Sequence, residues 1–328
     1  MPGPWTRKLR GTLDEHVLVS EALRGNPLGD PHERPLWVYT PPSYAGGPTV
    51  YVLQGYTGQL DMWLNRTAFR PTFLELLDAA DLDARVVLVD SWTSVGGSQF
   101  VDSSGSGRYH TYICDEIVPF VDARYDSNGL RAVAGKSSGG YGAVVTAMLR
   151  SDLFQGCASH AGGGVFEVSI RPFFRLAARR LRDAYGGSIE RFLDELRSGP
   201  APLAHPHDLH VLLQWGFSAA YAPADGVVRL PYDVATAQVI PELWERWLEH
   251  DYPTLVPRHA DAFRGLRAIY VDCGTRDEWY LDLTAEWLRR ELTALGVRDL
   301  HVELFDATHQ AIEYRYPLGL RYLADRLR

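Results

Sequence analysis

One serine in this sequence has the surroundings of a nucleophile. Ser137 lies at the centre of Gly135-Lys136-Ser137-Ser138-Gly139, which fits the pattern G-x-S-x-G. A strand pattern precedes the motif and a helix pattern follows it, which is the context of a nucleophile elbow. Side chains at the two glycine positions would clash where the backbone turns so sharply. The motif therefore predicts that Ser137 attacks a carbonyl carbon.

Two other interpretations of this segment fit less well. Ser138 is not centred in the motif, because Lys136 occupies the position that glycine would need. The letters GKSS also resemble a phosphate-binding loop, G-x-x-x-x-G-K-[ST], but that pattern requires glycine where Leu130 stands. Gly129 is one place too early, and 130–134 has a strand pattern that leaves no loop to surround a phosphate.

A serine nucleophile needs a base and an acid that orients the base. After a serine at such a turn, the acid is expected to follow a late strand and the histidine to follow the last strand. Asp277 and His309 occupy these two positions. We predict these two as the acid and the base. Glu278 is the alternative acid, and Asp272 fits less well because it lies inside a strand.

An oxyanion hole needs two backbone N–H donors. One is expected from Ser138, the residue after the nucleophile, and the other from the loop after an earlier strand. Leu53-Gln54-Gly55-Tyr56 ends such a strand, and we favour the N–H of Tyr56. The alternative is that this segment is an ordinary glycine turn.

Alternating strands and helices must position these residues. Strand patterns cover 16–23, 35–39, 49–53, 85–90, 130–134, 155–160, 266–272 and 301–305. Helix patterns cover 68–79, 109–125, 139–150, 281–295 and 311–327. This alternation predicts an α/β fold with a mostly parallel central sheet and helices on both faces.

The segment 162–265 interrupts the alternation. It is rich in helix formers and has weak strand signals, so we expect a mainly helical insertion in a core formed by 1–161 and 266–328. We expect it to roof the active site, with both of its ends beside Ser137, and to set acyl specificity. The candidate pocket residues are its large aromatics, Phe173, Phe174, Trp215, Trp244 and Trp247. Alternatively, these aromatics only fill the insertion's own core.

Composition narrows the class of protein. A net charge of −8 argues against nucleic-acid binding, which needs a basic face. Three cysteines cannot all pair within one chain, which favours a reducing compartment. The N-terminus lacks the apolar run of a signal peptide, and no segment is apolar for long enough to span a membrane. We expect a cytoplasmic protein that binds no membrane.

Histidines outside the predicted triad have ordinary interpretations. His205, His207 and His210 resemble a metal cluster, but a proline between the first two, in a predicted surface loop, gives no fixed ligand geometry. His110 and His160 are interpreted as structural. We expect no metal and no organic cofactor.

The elbow segment GKSSGGYGAVVTAMLRSDLF resembles the putative-esterase family of α/β-hydrolases. That family includes S-formylglutathione hydrolases, enterochelin-type esterases, feruloyl and acetylxylan esterases, and mycolyltransferases. Residues 51–58 are similar to its oxyanion segment, where many members have histidine in place of Gln54. Residues 272–277 resemble its acid loop and 307–309 its histidine loop, with Thr308 replacing the usual glycine.

The resemblance spans 35–160 and 265–328 and omits the insertion. It implies the α/β-hydrolase fold and a serine esterase that acts on a small-molecule ester through an acyl-enzyme intermediate. An acyltransferase would share the same site, and a non-catalytic binding protein could use the same scaffold. Association into a homo-oligomer is left open.

Overall fold

The computed structural model describes residues 8–67, 69–222 and 225–328. Its centre is an eight-stranded sheet in the order β1-β2-β4-β3-β5-β6-β7-β8. The strands are β1 Thr12–Val19, β2 Glu33–Thr40, β3 Thr49–Leu53, β4 Arg85–Val89, β5 Arg131–Lys136, β6 Gly156–His160, β7 Ala268–Gly274 and β8 Leu300–Phe305. β2 pairs antiparallel with β1 and β4, and the other pairs are parallel. The predicted fold class is confirmed.

Helices cover both faces of the sheet. They are α1 Phe73–Ala80, α2 over 109–122 with a π-helical centre, α3 Ser138–Leu149, α4 Phe166–Ser169, α5 Phe174–Tyr185, α6 Ile189–Ser198, α7 Asp208–Ala220, α8 Pro241–Leu248, α9 Tyr252–Arg258, α10 Ala260–Gly265, α11 Leu281–Ala294 and α12 Tyr316–Arg326. Short 3-10 helices occupy Leu60–Leu64, Arg171–Phe173 and Glu313–Arg315. A two-residue ladder pairs Asp102–Ser103 with Gly107–Arg108.

The central strands are rich in apolar residues because both faces of the sheet are covered there. All five residues of β3 are buried. Tyr51 and Leu53 belong to the larger apolar cluster, whereas Val50 and Val52 belong to the smaller one on the other face. This division follows the two-residue period of a strand. Helices α1 and α12 cover the smaller cluster, and α2, α3, α11 and the insertion cover the larger one.

Two helices begin later than the sequence pattern predicts. The predicted helix 68–79 begins at Phe73, because Thr72 and Glu75 form a capping box there. Its predicted first residue, Ala68, lies outside the described residues. The predicted helix 311–327 begins at Tyr316, because Ala311 has a φ of 63°, which interrupts a right-handed helix.

The insertion does not begin and end at the same edge of the sheet. It leaves β6 after His160, at the edge where Ser137 lies, but it rejoins the sheet at the opposite edge, where Arg267 N–H donates to Gln155 O at 2.7 Å. The expectation that both ends emerge beside Ser137 is therefore wrong. The segment is an enlarged crossover between two parallel strands, and such a connection must return along one face of the sheet.

Candidate active site

Ser137 occupies a sharp turn between β5 and α3. Its φ and ψ are 59° and −122°, a strained backbone for a residue with a side chain. The turn is fixed by three backbone hydrogen bonds: Ser137 N–H donates to His160 O at 3.0 Å, and Ser137 O accepts from Tyr141 and Gly163. A Cβ on Gly135 would overlap the backbone of Gly139, which explains the glycine there. The hydroxyl is thus presented at the carboxyl edge of the sheet.

His309 and Asp277 lie in line with the Ser137 hydroxyl. His309 Nε2 is 3.1 Å from Ser137 Oγ, and His309 Nδ1 is 2.7 Å from Asp277 Oδ2. Both His309 and Asp277 are 5% exposed. The sequence-predicted serine, acid and base are therefore brought together, although they come from three separate loops. This arrangement can pass a proton from the hydroxyl to the imidazole while the carboxylate holds the ring.

The residues beside the acid hold the histidine loop and the acid in place. Glu278 Oε2 accepts a hydrogen bond from the backbone N–H of His309 at 2.9 Å. The N–H of Trp279 donates to the second oxygen of Asp277, Oδ1, at 2.8 Å. Glu278, the alternative acid, thus contacts the histidine backbone, whereas Asp277 contacts the ring.

The predicted oxyanion donors lie next to the nucleophile. Ser138 is the first residue of α3, where a backbone N–H has no partner within the helix. A Cβ on Gly55 would lie 3.6 Å from Ser137 Cβ, so the peptide that joins Gly55 to Tyr56 is close to the serine. Tyr56 and Ser138 both line the cavity that contains Ser137.

That cavity has a volume of about 270 Å³ and is mostly apolar. The insertion supplies one wall from α4, α7 and the residue after α4: Phe166, Ile170, Leu209, Leu213 and Phe217. The core supplies other apolar lining residues: Met62, Trp63, Trp279, Leu281 and Tyr316. A polar patch lies near the serine, where Lys136 Nζ is 3.4 Å from Glu313 Oε1 and Gln310 lies beside them on the cavity wall.

The expectation that at least one large aromatic of the insertion lines this cavity is wrong in the described part of the chain, because none of five candidates belongs to the lining: Phe173, Phe174, Trp215, Trp244 and Trp247. Phe174 instead packs within the insertion, with its ring 5.2 Å from that of Trp244 and 6.1 Å from that of Trp247. Phe173 lies one layer behind the cavity, 4.9 Å from the ring of Trp279. The insertion presents aliphatic residues and two phenylalanines to the cavity, whereas Trp244 and Trp247 pack around Phe174 inside the insertion.

Gln99 lines the cavity from the loop 96–99, a segment that the sequence places as a candidate border of the pocket without giving Gln99 a role. It has a φ of 52°, followed by 58° at Phe100, so two consecutive residues adopt a left-handed backbone. Its side chain is 2% exposed and lines the cavity, and its Oε1 has no hydrogen-bond partner among the described residues. Nothing in the sequence Gly-Gly-Ser-Gln-Phe signals a left-handed glutamine, although the preceding glycines mark a tight loop.

A second buried histidine–aspartate pair lies beneath the elbow. His160 Nδ1 is 2.7 Å from Asp272 Oδ1, and Arg315 Nε donates to Asp272 Oδ2 at 2.8 Å. Although burial opposes ionisation of Asp272, the His160 and Arg315 side chains hold its pKa below the usual value. Asp272 is thus engaged beneath the site and is separated from His309 by the acid loop.

The histidine run near position 207 spans a loop and a helix start. Asp208 and His210 belong to the first turn of α7, so the expectation of a surface loop holds only for His205 and His207. Burial lowers the pKa of His210 to about 4. Over residues 8–67, 69–222 and 225–328, no group of three or more histidine, cysteine or acidic side chains is arranged to hold a metal.

The sheet order, the elbow and its position define a protein of the α/β-hydrolase fold. The sequence profile of the family described as "Putative esterase" matches residues 31–316, and the chain belongs to that family. It is a carboxylic ester hydrolase. No curated protein sequence matches it. Within the described residues, every helix is too short or too polar to span a bilayer.

Solved structures with the same fold include several esterases. A ferulic acid esterase matches with a TM-score of 0.57 and 16% identity over 98% of this chain and 100% of its own. An S-formylglutathione hydrolase from Agrobacterium tumefaciens matches with 0.56 and 15%, over 98% of each chain. MPT51 from Mycobacterium tuberculosis matches with 0.55 and 15%, over 95% of this chain and 99% of its own. At such identities, these likenesses concern the fold alone.

Proposed function

We propose that the protein hydrolyses carboxylic esters through a covalent acyl-enzyme in which Ser137 is the nucleophile, His309 the base and Asp277 the orienting acid. The observation that carries this proposal is the pair of distances at His309, 3.1 Å from its Nε2 to Ser137 Oγ and 2.7 Å from its Nδ1 to Asp277 Oδ2. Both fall within the range expected of a nucleophile, a base and an orienting group.

The reaction proceeds in two halves. Ser137 Oγ attacks the ester carbonyl while His309 Nε2 takes its proton and Asp277 stabilises the imidazolium. The N–H groups of Tyr56 and Ser138 stabilise the oxyanion, and His309 then protonates the departing alcohol. A water molecule then gives a proton to His309 and attacks the acyl-enzyme, and His309 returns that proton to Ser137 Oγ as the carboxylic acid is released.

The insertion, 162–265, is proposed to roof this site and to set the length of the acyl group. Its support is the wall that Phe166, Ile170, Leu209, Leu213 and Phe217 form around the cavity. An apolar wall with few polar groups suits a hydrocarbon acyl chain. The remaining residues, 1–161 and 266–328, are proposed to form the catalytic core.

Substitution of the nucleophile tests the proposal. Ser137→Ala should lower kcat on p-nitrophenyl esters by about 10⁶, because the covalent step is lost. Ser138→Ala is the matched control, since the role proposed for Ser138 uses its backbone N–H. A fluorophosphonate should label the wild type and Ser138→Ala at one residue and leave Ser137→Ala unlabelled. Near wild-type turnover by Ser137→Ala would end the proposal.

A further inference from the structure

The side chain of Tyr56 is inserted between two segments that both border the active site. Its hydroxyl lies 2.5 Å from Val95 O and 2.8 Å from Leu212 O, so it can donate to either carbonyl. Val95 belongs to the loop after β4, whereas Leu212 belongs to α7 of the insertion. The ring also packs edge-on against Phe217 of α7, with 5.8 Å between ring centroids.

Gly96, Gly97 and Gly216 leave the space that the Tyr56 side chain fills. We call these three glycines, together with Val95 and Leu212, the Tyr56 socket. A Cβ on Gly96 would lie 2.6 Å from the Tyr56 ring, and one on Gly97 would lie 3.0 Å from it. A Cβ on Gly216 of α7 would overlap the hydroxyl itself. The socket thus accounts for the Gly96-Gly97 pair and for a glycine inside a helix, where glycine is unfavourable by about 1 kcal/mol.

The backbone of the same residue is held at the nucleophile. Gly55, on the amino side of Tyr56, is in contact range of Ser137. On the carboxyl side, Thr57 has a left-handed φ of 65° and its N–H donates to Gly96 O at 2.8 Å. The socket therefore fixes the peptide that carries the Tyr56 N–H from one side, while the elbow limits it from the other.

We propose that Tyr56 is a positioning residue whose side chain, held in the socket, aims its own backbone N–H at the oxyanion, so that helix α7 of the insertion contributes to the chemical step. The inference rests on the proposed function. It makes the insertion a fixed part of the catalytic site in addition to a wall of the acyl pocket. Burial raises the pKa of the Tyr56 hydroxyl well above its usual range, so the hydroxyl stays a donor at every assay pH.

Removal of the hydroxyl tests the positioning role. Loss of a whole oxyanion donor costs about 10²–10³ in kcat. Tyr56→Phe keeps the backbone N–H and the ring but removes the hydrogen bond of the hydroxyl to Val95 O or Leu212 O. We therefore expect a smaller fall, about tenfold in kcat, with KM almost unchanged. Gly97→Ala leaves the hydroxyl in place but crowds the ring, and it should lower kcat in the same direction.

Tyr232→Phe is the matched control. Tyr232 is buried in the insertion, and its hydroxyl donates to Oε1 of Gln214, a residue of α7, at 2.5 Å. Neither residue lines the cavity. This variant loses one buried hydrogen bond to α7 and should keep the wild-type kcat. If both tyrosine variants lowered kcat equally, the effect would be a general loosening of α7 and the inference would be wrong.

Inhibitor affinity separates positioning from mere structural support. A trifluoromethyl ketone forms a tetrahedral oxyanion adduct with the serine, whereas the matching methyl ketone binds mainly without one. Tyr56→Phe should weaken the fluorinated ketone about tenfold and leave the methyl ketone unchanged. Equal weakening of the two ketones, or no weakening of either, would overturn the inference. If the wild type were not labelled by a fluorophosphonate at Ser137, the proposed function itself would fail instead.

Discussion

The adjacent carboxylates of Asp277 and Glu278 contact different atoms of His309. Asp277 contacts Nδ1 of the His309 ring, and Glu278 accepts from the His309 backbone N–H. An acid on the ring selects the tautomer and stabilises positive charge, whereas an acid on the backbone only holds the loop. The structure therefore predicts unequal effects of removing the two charges.

Asp277→Asn should reduce kcat on p-nitrophenyl acetate by about 10⁴, because an amide favours the wrong imidazole tautomer. Glu278→Gln should cost far less, since the amide oxygen can still accept from His309 N–H. Steady-state rates of both purified variants provide the measurement. If Glu278→Gln proved the more damaging of the two, the acid would be misplaced by one residue.

At the scale of the element, helix α7 forms part of the cavity wall. Leu213 lines the cavity, whereas Trp215, two residues further along the same helix, does not. A smaller side chain at position 213 should therefore enlarge the cavity, whereas a smaller side chain at position 215 should not.

Leu213→Ala should shift the preferred acyl chain of p-nitrophenyl esters to a longer one. One methylene in an apolar pocket is worth about 1–3 kcal/mol, or roughly 10–200-fold in kcat/KM. The ratio of kcat/KM for hexanoate over acetate should thus rise at least about tenfold. Trp215→Ala is the control and should keep the wild-type ratio. An unchanged ratio in Leu213→Ala would remove α7 from acyl selection.

The elements that carry the site were predictable because their sequences have strong local signals. Residues 50–53 are apolar at every position, and Ser137 stands between a strand pattern and a helix pattern. Asp277 and His309 followed from their positions after strands. Strand β1 is shifted by about four residues from its predicted position, because an edge strand carries polar residues such as Asp14 and Glu15 that weaken its pattern.

The cavity wall was not predictable from residue size. Large aromatics in an amphipathic helix can face either the helix's own neighbours or a cavity, and hydrophobicity does not distinguish the two. Trp244 illustrates this, because its indole N–H donates to Glu167 at 2.7 Å inside the insertion. The left-handed Gln99 and the socket around Tyr56 depend on contacts between distant segments, which one sequence does not display.

At the scale of the whole molecule, one buried carboxylate makes stability depend on pH. Asp251 is 1% exposed and accepts hydrogen bonds from Phe166 N–H at 2.6 Å and Tyr252 N–H at 2.8 Å, which links the start of α4 to the start of α9. Burial raises its pKa to about 7 despite these bonds. Between about pH 4 and 7, the folded protein therefore retains a proton that the unfolded chain has lost, and the free energy of unfolding falls as the pH rises.

Asp251→Asn should abolish this dependence, because the amide does not titrate. Relative to the wild type, the variant's free energy of unfolding should rise from pH 4 to pH 8, by an amount on the order of 4 kcal/mol. Urea unfolding at several pH values measures it. A flat difference for Asp251→Asn would contradict the raised pKa.

The crossover path of the insertion limits how it can be exchanged between enzymes. Helices α9 and α10 return the chain to the start of β7, and Tyr252 stacks on Tyr141 of α3 at 5.6 Å between ring centroids. They are thus part of the layer that covers the sheet. A chimera that replaced the whole of 162–265 would remove this cover, whereas one that replaced 166–250 would retain it. Natural variation in acyl preference among such esterases is expected to accumulate in that smaller, separable segment, and to spare Gly216, on which the tyrosine of the core depends.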